Sequence, residues 1–137
     1  MEQNLELLDA WMNMTANIKV NRLLQDMSLN EMFICSYIYR FNKASFKQLI
    51  EKTNLLKSQM NRQLNDLIEK GFVTKNTDDN DKRKIVLEMT EKGKEVYLKE
   101  HEKVVALISR VTNELGNKKT ASLAKLMKEA VGVLDND

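Results

Sequence analysis

The stretch FKQLIEKTNLLKSQMNRQLNDLIEKGFVTKNTDDNDKRKIVLEMTEKGKE, residues 46–95, changes its hydrophobic period twice, and those changes decide the architecture. Ser45 with Gln48 three residues on forms a capping box that opens a short helix through about Thr53. After the polar corner Thr53-Asn54, the spacing of Met60, Leu64, Leu67 and Ile68 predicts a helix from about Lys57 to Lys70. Gly71 follows its last residue, where a left-handed C-terminal cap carries least strain. The period then falls to two. Phe72-Val73-Thr74-Lys75 reads as a strand, and Ile85, Leu87 and Met89 alternate with Val86 and Glu88 as its partner. Between them NTDDNDKRK is the polar tip of a hairpin, and Thr90 caps a further helix.

The flanks are helical. Ser28 and Glu31 make another capping box, opening a helix through about Phe41. Ile34, Ile38 and Phe41 form one stripe on it, with Phe33 and Tyr37 on a neighbouring one, which marks a central, buried helix. Residues 4–25 place Leu8, Trp11, Met14 or Thr15, Ile18, Leu23 and Leu24 at the spacing of one amphipathic helix. Beyond Thr90, helical spacing runs through Tyr97, His101, Val104, Ile108, Val111 and Leu115. Gly116-Asn117 interrupts it, and a last helix carries Leu123, Leu126, Met127, Ala130 and Leu134. The chain has no proline and only four glycines, so hard breaks are few. The expected fold is mainly α with a small β-hairpin: a winged helix-turn-helix, whose second helix of the turn enters a DNA major groove with the hairpin beside it.

Composition narrows the function. With 137 residues the chain suits one domain or a small module with extra helices. No run approaches the roughly 18 apolar residues of a membrane span, so no membrane partner is expected. The opening MEQNLELLDAW is acidic and lacks the basic-then-apolar order of a secretory signal. One cysteine excludes an internal disulfide framework and a cysteine zinc site, and with the missing signal it points to the cytoplasm. One histidine, His101, no glycine-rich phosphate loop and no paired nucleophile and base disfavour an enzyme; neither metal nor cofactor is expected. Net charge is only +2, but it is unevenly spread: residues 1–39 sum to −3, residues 40–90 to +4 and residues 91–137 to +1. The middle third can therefore orient the molecule toward a polyanion, although a solvated lysine-rich surface would look the same by charge alone.

Residues 46–93 resemble the multiple-antibiotic-resistance regulator (MarR) family. The matching features are Leu49-Ile50 in the short helix and Leu67-Ile68-Glu69-Lys70-Gly71-Phe72-Val73 at the end of the recognition helix. Asp78, Asn80, Asp81 and Arg83 at the wing tip and Met89-Thr90-Glu91-Lys92-Gly93 follow in order. Two positions depart from the pattern. Asn80 stands where the family has its first wing arginine, and the nearby Lys82 and Lys84 lack arginine's planar fork. Leu56 stands where a small polar cap is usual.

The resemblance implies a DNA-binding transcriptional regulator, a repressor acting as a homodimer on a pseudo-palindromic operator and released by a small aromatic or lipophilic effector. Residues 1–27 and 91–137 would be dimerisation helices around a DNA-binding region at 28–90. With its apolar residues turned inward, the recognition helix presents Lys57, Ser58, Gln59, Asn61, Arg62 and Asn65, and no acidic residue occurs on it before Asp66. Asn and Gln can bond adenine bidentately and Arg suits guanine. Arg62 either reads a base or pairs with a wing aspartate. Arg83 either contacts DNA or pairs with Asp81 or Asp78. Asn80, Lys82, Arg83 and Lys84 on the wing, with Lys43 and Lys47 near the short helix, are candidates for backbone contact, which positions without specifying sequence. Trp11, Met14, Met32, Phe33 and Tyr37 are candidates for an effector pocket, although a cluster of this kind is more often plain core. Cys35 falls mid-helix, where burial is expected. The alternatives to a ligand-released repressor are a dimeric winged-helix module that grips a protein and an oxidant sensor acting through Cys35.

Overall fold

The computed structural model describes residues 1–136. The element order is α1 (Glu2–Ala16), α2 (Ile18–Asn21), α3 (Leu29–Phe41), β1 (Ala44–Ser45), α4 (Phe46–Thr53), α5 (Lys57–Glu69), β2 (Val73–Thr77), β3 (Ile85–Met89) and α6 (Glu91–Asp135). The chain divides into two compact units, Met1–Glu102 and Lys103–Asp137.

The first unit holds the core. Ile34, Ile38, Leu49, Met60 and Leu67 are fully enclosed, as are Val73 and Leu87 from the sheet. Each such side chain contributes about 1.5–3 kcal/mol by leaving water. Three antiparallel strands lie in the order β1-β3-β2, with Ala44 opposite Leu87 and Val73 opposite Met89. The hairpin β2–β3 is the expected wing; β1 is an addition. Its two residues are too few to show a period, and they become a strand only by pairing with β3.

Local chemistry explains the boundaries. Ser28 accepts from the Glu31 N–H at 3.1 Å while Glu31 accepts from the Ser28 N–H at 2.9 Å, and Ser45 with Gln48 repeats both bonds at 3.1 and 2.9 Å. At the end of α5, Gly71 takes φ +80°. The Phe72 N–H then reaches the Leu67 carbonyl at 2.9 Å and the Gly71 N–H the Ile68 carbonyl at 3.0 Å, the paired bonds of a Schellman cap. Thr90 joins the wing to α6: its hydroxyl donates to the Gly71 carbonyl at 2.6 Å and accepts from the Gly93 N–H at 2.9 Å. Gly93 has to be glycine, because a Cβ there would lie 2.0 Å from the Phe72 carbonyl oxygen.

Two expectations need correction. Residues 4–25 are not one helix. Asn17 leaves helical geometry (φ −59°, ψ 125°) and its side chain accepts from the N–H groups of Lys19 at 2.9 Å and Val20 at 3.3 Å. It thereby caps the short α2 instead of continuing α1, the competition with helix that asparagine commonly wins. Phe41 does not join the Ile34–Ile38 stripe either; it is partly exposed and packs on Tyr37, with ring centroids 6.0 Å apart. The interruption at Gly116 is present, at φ 80° and ψ 170° inside α6.

Candidate nucleic-acid interface

Helix α5 is amphipathic. Met60, Leu64 and Leu67 are buried and Ile68 half-buried, as their spacing requires. The opposite face exposes Lys57, Ser58, Asn61, Arg62 and Asn65, and none of these side chains has a hydrogen bond or ion pair among the described residues. The alternative of a structural salt bridge for Arg62 therefore has no partner among the described residues. Asp66 begins the acidic end of the helix. Gln59 stands apart from the others: it is half-buried, and its Oε1 accepts from the Leu56 N–H at 3.2 Å. Leu56 has no side-chain acceptor of its own, so the N-terminus of α5 is held by this half of a capping box.

The opposite end of α5 is anchored by charge. Lys70, its C-terminal cap, places Nζ 2.9 and 3.0 Å from the two carboxylate oxygens of Glu31, which is buried at the start of α3. A cation at a helix C-terminus also opposes the helix dipole. Both ends of α5 are thus fixed by bonds that leave its exposed face uncommitted.

On the wing, Asp81 accepts from the Arg83 backbone N–H at 3.1 Å and from its Nε at 3.3 Å, while Asp78 accepts from the Asn80 N–H at 3.2 Å. Asp81, not Asp78, is therefore the partner of Arg83. The Arg83 side chain is nonetheless 93% exposed, and a pair so open to water contributes at most about 1 kcal/mol. Asn80, Lys82 and Lys84 are exposed on the same tip, whose Asp81–Lys84 turn closes with the Lys84 N–H on the Asp81 carbonyl at 2.9 Å. Lys47 stands exposed on α4, and Lys43 lies 3.8 Å from Glu88 of β3. The strand β1 sets that last contact by joining the chain after Lys43 to the base of the wing, which no local pattern could have announced.

Of the residues considered for an effector pocket, two stand on α1 and three on α3. Trp11 and Met14 are 67% and 60% exposed on α1, which buries none of its residues. Met32 and Tyr37 are half-buried, and Phe33 meets Tyr37 edge to face at 5.4 Å. Cys35 is fully buried beside them in sequence, and burial, with the Glu31 carboxylate nearby, pushes its thiol up to about 12. His101 is exposed, with Nδ1 3.5 Å from the Tyr97 hydroxyl. No helix among the described residues is long and apolar enough to cross a membrane.

A helix held at both ends, with an exposed face of amides, lysine and arginine next to a hairpin tip that carries Lys82, Arg83 and Lys84, is the arrangement of a winged helix-turn-helix. A sequence model for the family described as transcriptional regulator SarA/Rot matches residues 19–100, more than half of the chain. The chain belongs to that family and is a DNA-binding transcriptional regulator; its family and fold are those of regulators, not enzymes. No match was found among curated protein sequences. Solved structures share the fold. A mutant MarR from E. coli complexed with operator DNA is 20% identical at a TM-score of 0.72, covering 94% of this chain and 91% of that one. FabT of Streptococcus pneumoniae in complex with DNA is 19% identical at 0.76, covering 98% and 96%. The PcaV transcriptional regulator of Streptomyces coelicolor in complex with its natural ligand is 14% identical at 0.80, covering 91% and 89%.

Proposed function

We propose that this regulator is a homodimeric repressor that binds a pseudo-palindromic operator through α5 and the wing and leaves it when a small aromatic or lipophilic ligand binds. The observation that carries the reading is the exposed face of α5. Lys57, Ser58, Asn61, Arg62 and Asn65 stand together without internal partners, on a helix whose other face is locked into the core. Unsatisfied donors and acceptors on a rigid helix cost little to keep in water and are already placed for base edges, so binding needs little reordering. Arg83, Lys82, Lys84 and Asn80 at the wing tip, with Lys47 and Lys43, supply backbone contacts. The Asp81 partner restricts the arginine without hiding its outer N–H groups.

Ligand release is supported more loosely, by the aromatic and methionine side chains left exposed on α1 and α3 and by the ligand complex of the similarly folded PcaV. A ligand seated against those helices would act by changing the separation of two recognition helices in a dimer.

Binding to random duplex DNA at two salt concentrations tests the reading. A pseudo-palindrome should emerge, with log affinity falling by about 0.9 per phosphate contact against log salt. Arg62→Ala should weaken the selected site by about 1–3 kcal/mol and relax one base position. Weak, salt-insensitive and sequence-blind binding would overturn the operator reading and favour a protein partner.

A further inference from the structure

Gln59 lies on the recognition helix, but its amide is not free in the way its neighbours' amides are. The Leu56 backbone N–H is a donor, so the group 3.2 Å away must be the amide oxygen, and the chemistry of the pair fixes which end of Gln59 turns inward. The Nε2 group then faces the other way. Bidentate recognition of adenine needs both ends of an amide at once, oxygen accepting from N6 and nitrogen donating to N7. The bond to Leu56 takes one of the two lone pairs of Oε1 and fixes its direction, so Gln59 presents its donor end more fully than the whole fork. Asn61 and Asn65, with no internal bond among the described residues, keep both ends.

Resting on the operator reading above, we infer that Gln59 reads DNA through its donor end, favouring guanine, whose N7 and O6 both accept, at one position of each half-site. Opening the cap would expose an N-terminal N–H for which Leu56 has no substitute acceptor. The capping bond is therefore kept in the complex, and one side chain both holds the start of the helix and specifies a base. Discrimination comes from the neighbouring atom: adenine keeps N7 but sets an amino group beside it where guanine has O6, and cytosine offers its amino group alone.

The test is site selection from randomised duplexes with the wild type, Gln59→Glu and Gln59→Met, alongside thermal melting of each protein. Glutamate keeps the capping oxygen and has no donor. Its melting temperature should equal or exceed that of the wild type, while the guanine preference at one position, about fivefold or more, is lost or passes to cytosine or adenine. Methionine removes cap and donor together, so it should lose the same preference and melt earlier, which separates the effect from the added charge. Unchanged preferences in both variants would overturn the inference and leave Gln59 as a cap alone. So would a wild-type adenine at the position that Gln59→Glu disturbs. If the wild type selects no sequence, the operator reading itself fails, a result visible before either variant is compared.

Discussion

Cys35 shows how one neighbourhood can silence a reactive group. Its side chain is wholly enclosed in α3, and burial together with the Glu31 carboxylate raises the thiol from an ordinary 9.0 to about 12, with Lys70 opposing only in part. The thiolate is the nucleophile, so oxidant and alkylating agent alike meet an unreactive form at neutral pH. Native protein should resist iodoacetamide at pH 7.5 and react at one site once unfolded in urea; rapid labelling of the folded chain would restore the oxidant-sensing alternative. The pH dependence follows from the same shift. Below about 9 both states hold the proton. Above it the unfolded thiol ionises while the folded one does not until about 12, so the native state binds more protons and stability falls as pH rises through that window. Cys35→Ala should flatten this part of a denaturation-against-pH curve.

At the scale of elements, the anchoring of α5 to α3 rests on an unequal pair. The Glu31 side chain is 5% exposed and that of Lys70 42%. Removing the lysine leaves a buried carboxylate with little but the Ser28 N–H, whereas neutralising the glutamate leaves an ammonium that can turn to water. Lys70→Met should therefore cost about 3 kcal/mol, the lower end of what a broken buried pair costs, and Glu31→Gln about 1 kcal/mol. Urea denaturation of both variants checks the order, and equal losses would mean that the pair is effectively solvated. The sequence made half of this visible. Capping boxes at Ser28/Glu31 and Ser45/Gln48 were legible because both partners sit within three residues. So was the inward face of α5, because its period is regular. The second role of Glu31 was not, since Lys70 is 39 residues away. The strand β1 exists only through β3, and Asn17 could equally have continued a helix. Gln59 was legible as an exposed amide on the right face, but its orientation depends on a backbone N–H that only the folded cap brings near.

At the scale of the whole molecule, α1 and the second unit are unfinished as single chains. No residue of the 15-residue α1 is buried, and Leu5, Leu8, Trp11 and Met12 all face water. A helix of that length is marginal in water without packing. Within Lys103–Asp137, Ile108, Val111, Leu123, Leu126 and Met127 are exposed as well. So many large apolar side chains left open on a helix are unusual for a monomer, and a two-fold interface would cover each such face on both copies with the same residues. Sedimentation equilibrium at micromolar concentration should give twice the 15.9 kDa of one chain. Trp11→Asp and Leu126→Asp should each shift that mass toward the monomer, because an aspartate carries its charge into a surface that must be dry. The same variants should lose operator affinity without a change at α5, since two recognition helices must be spaced to meet half-sites about 10 bp apart, or a multiple of that. A monomeric wild type that still bound an operator tightly would show that these helices are covered by something other than a second copy, and a selected site with a single half-site would say the same from the DNA side.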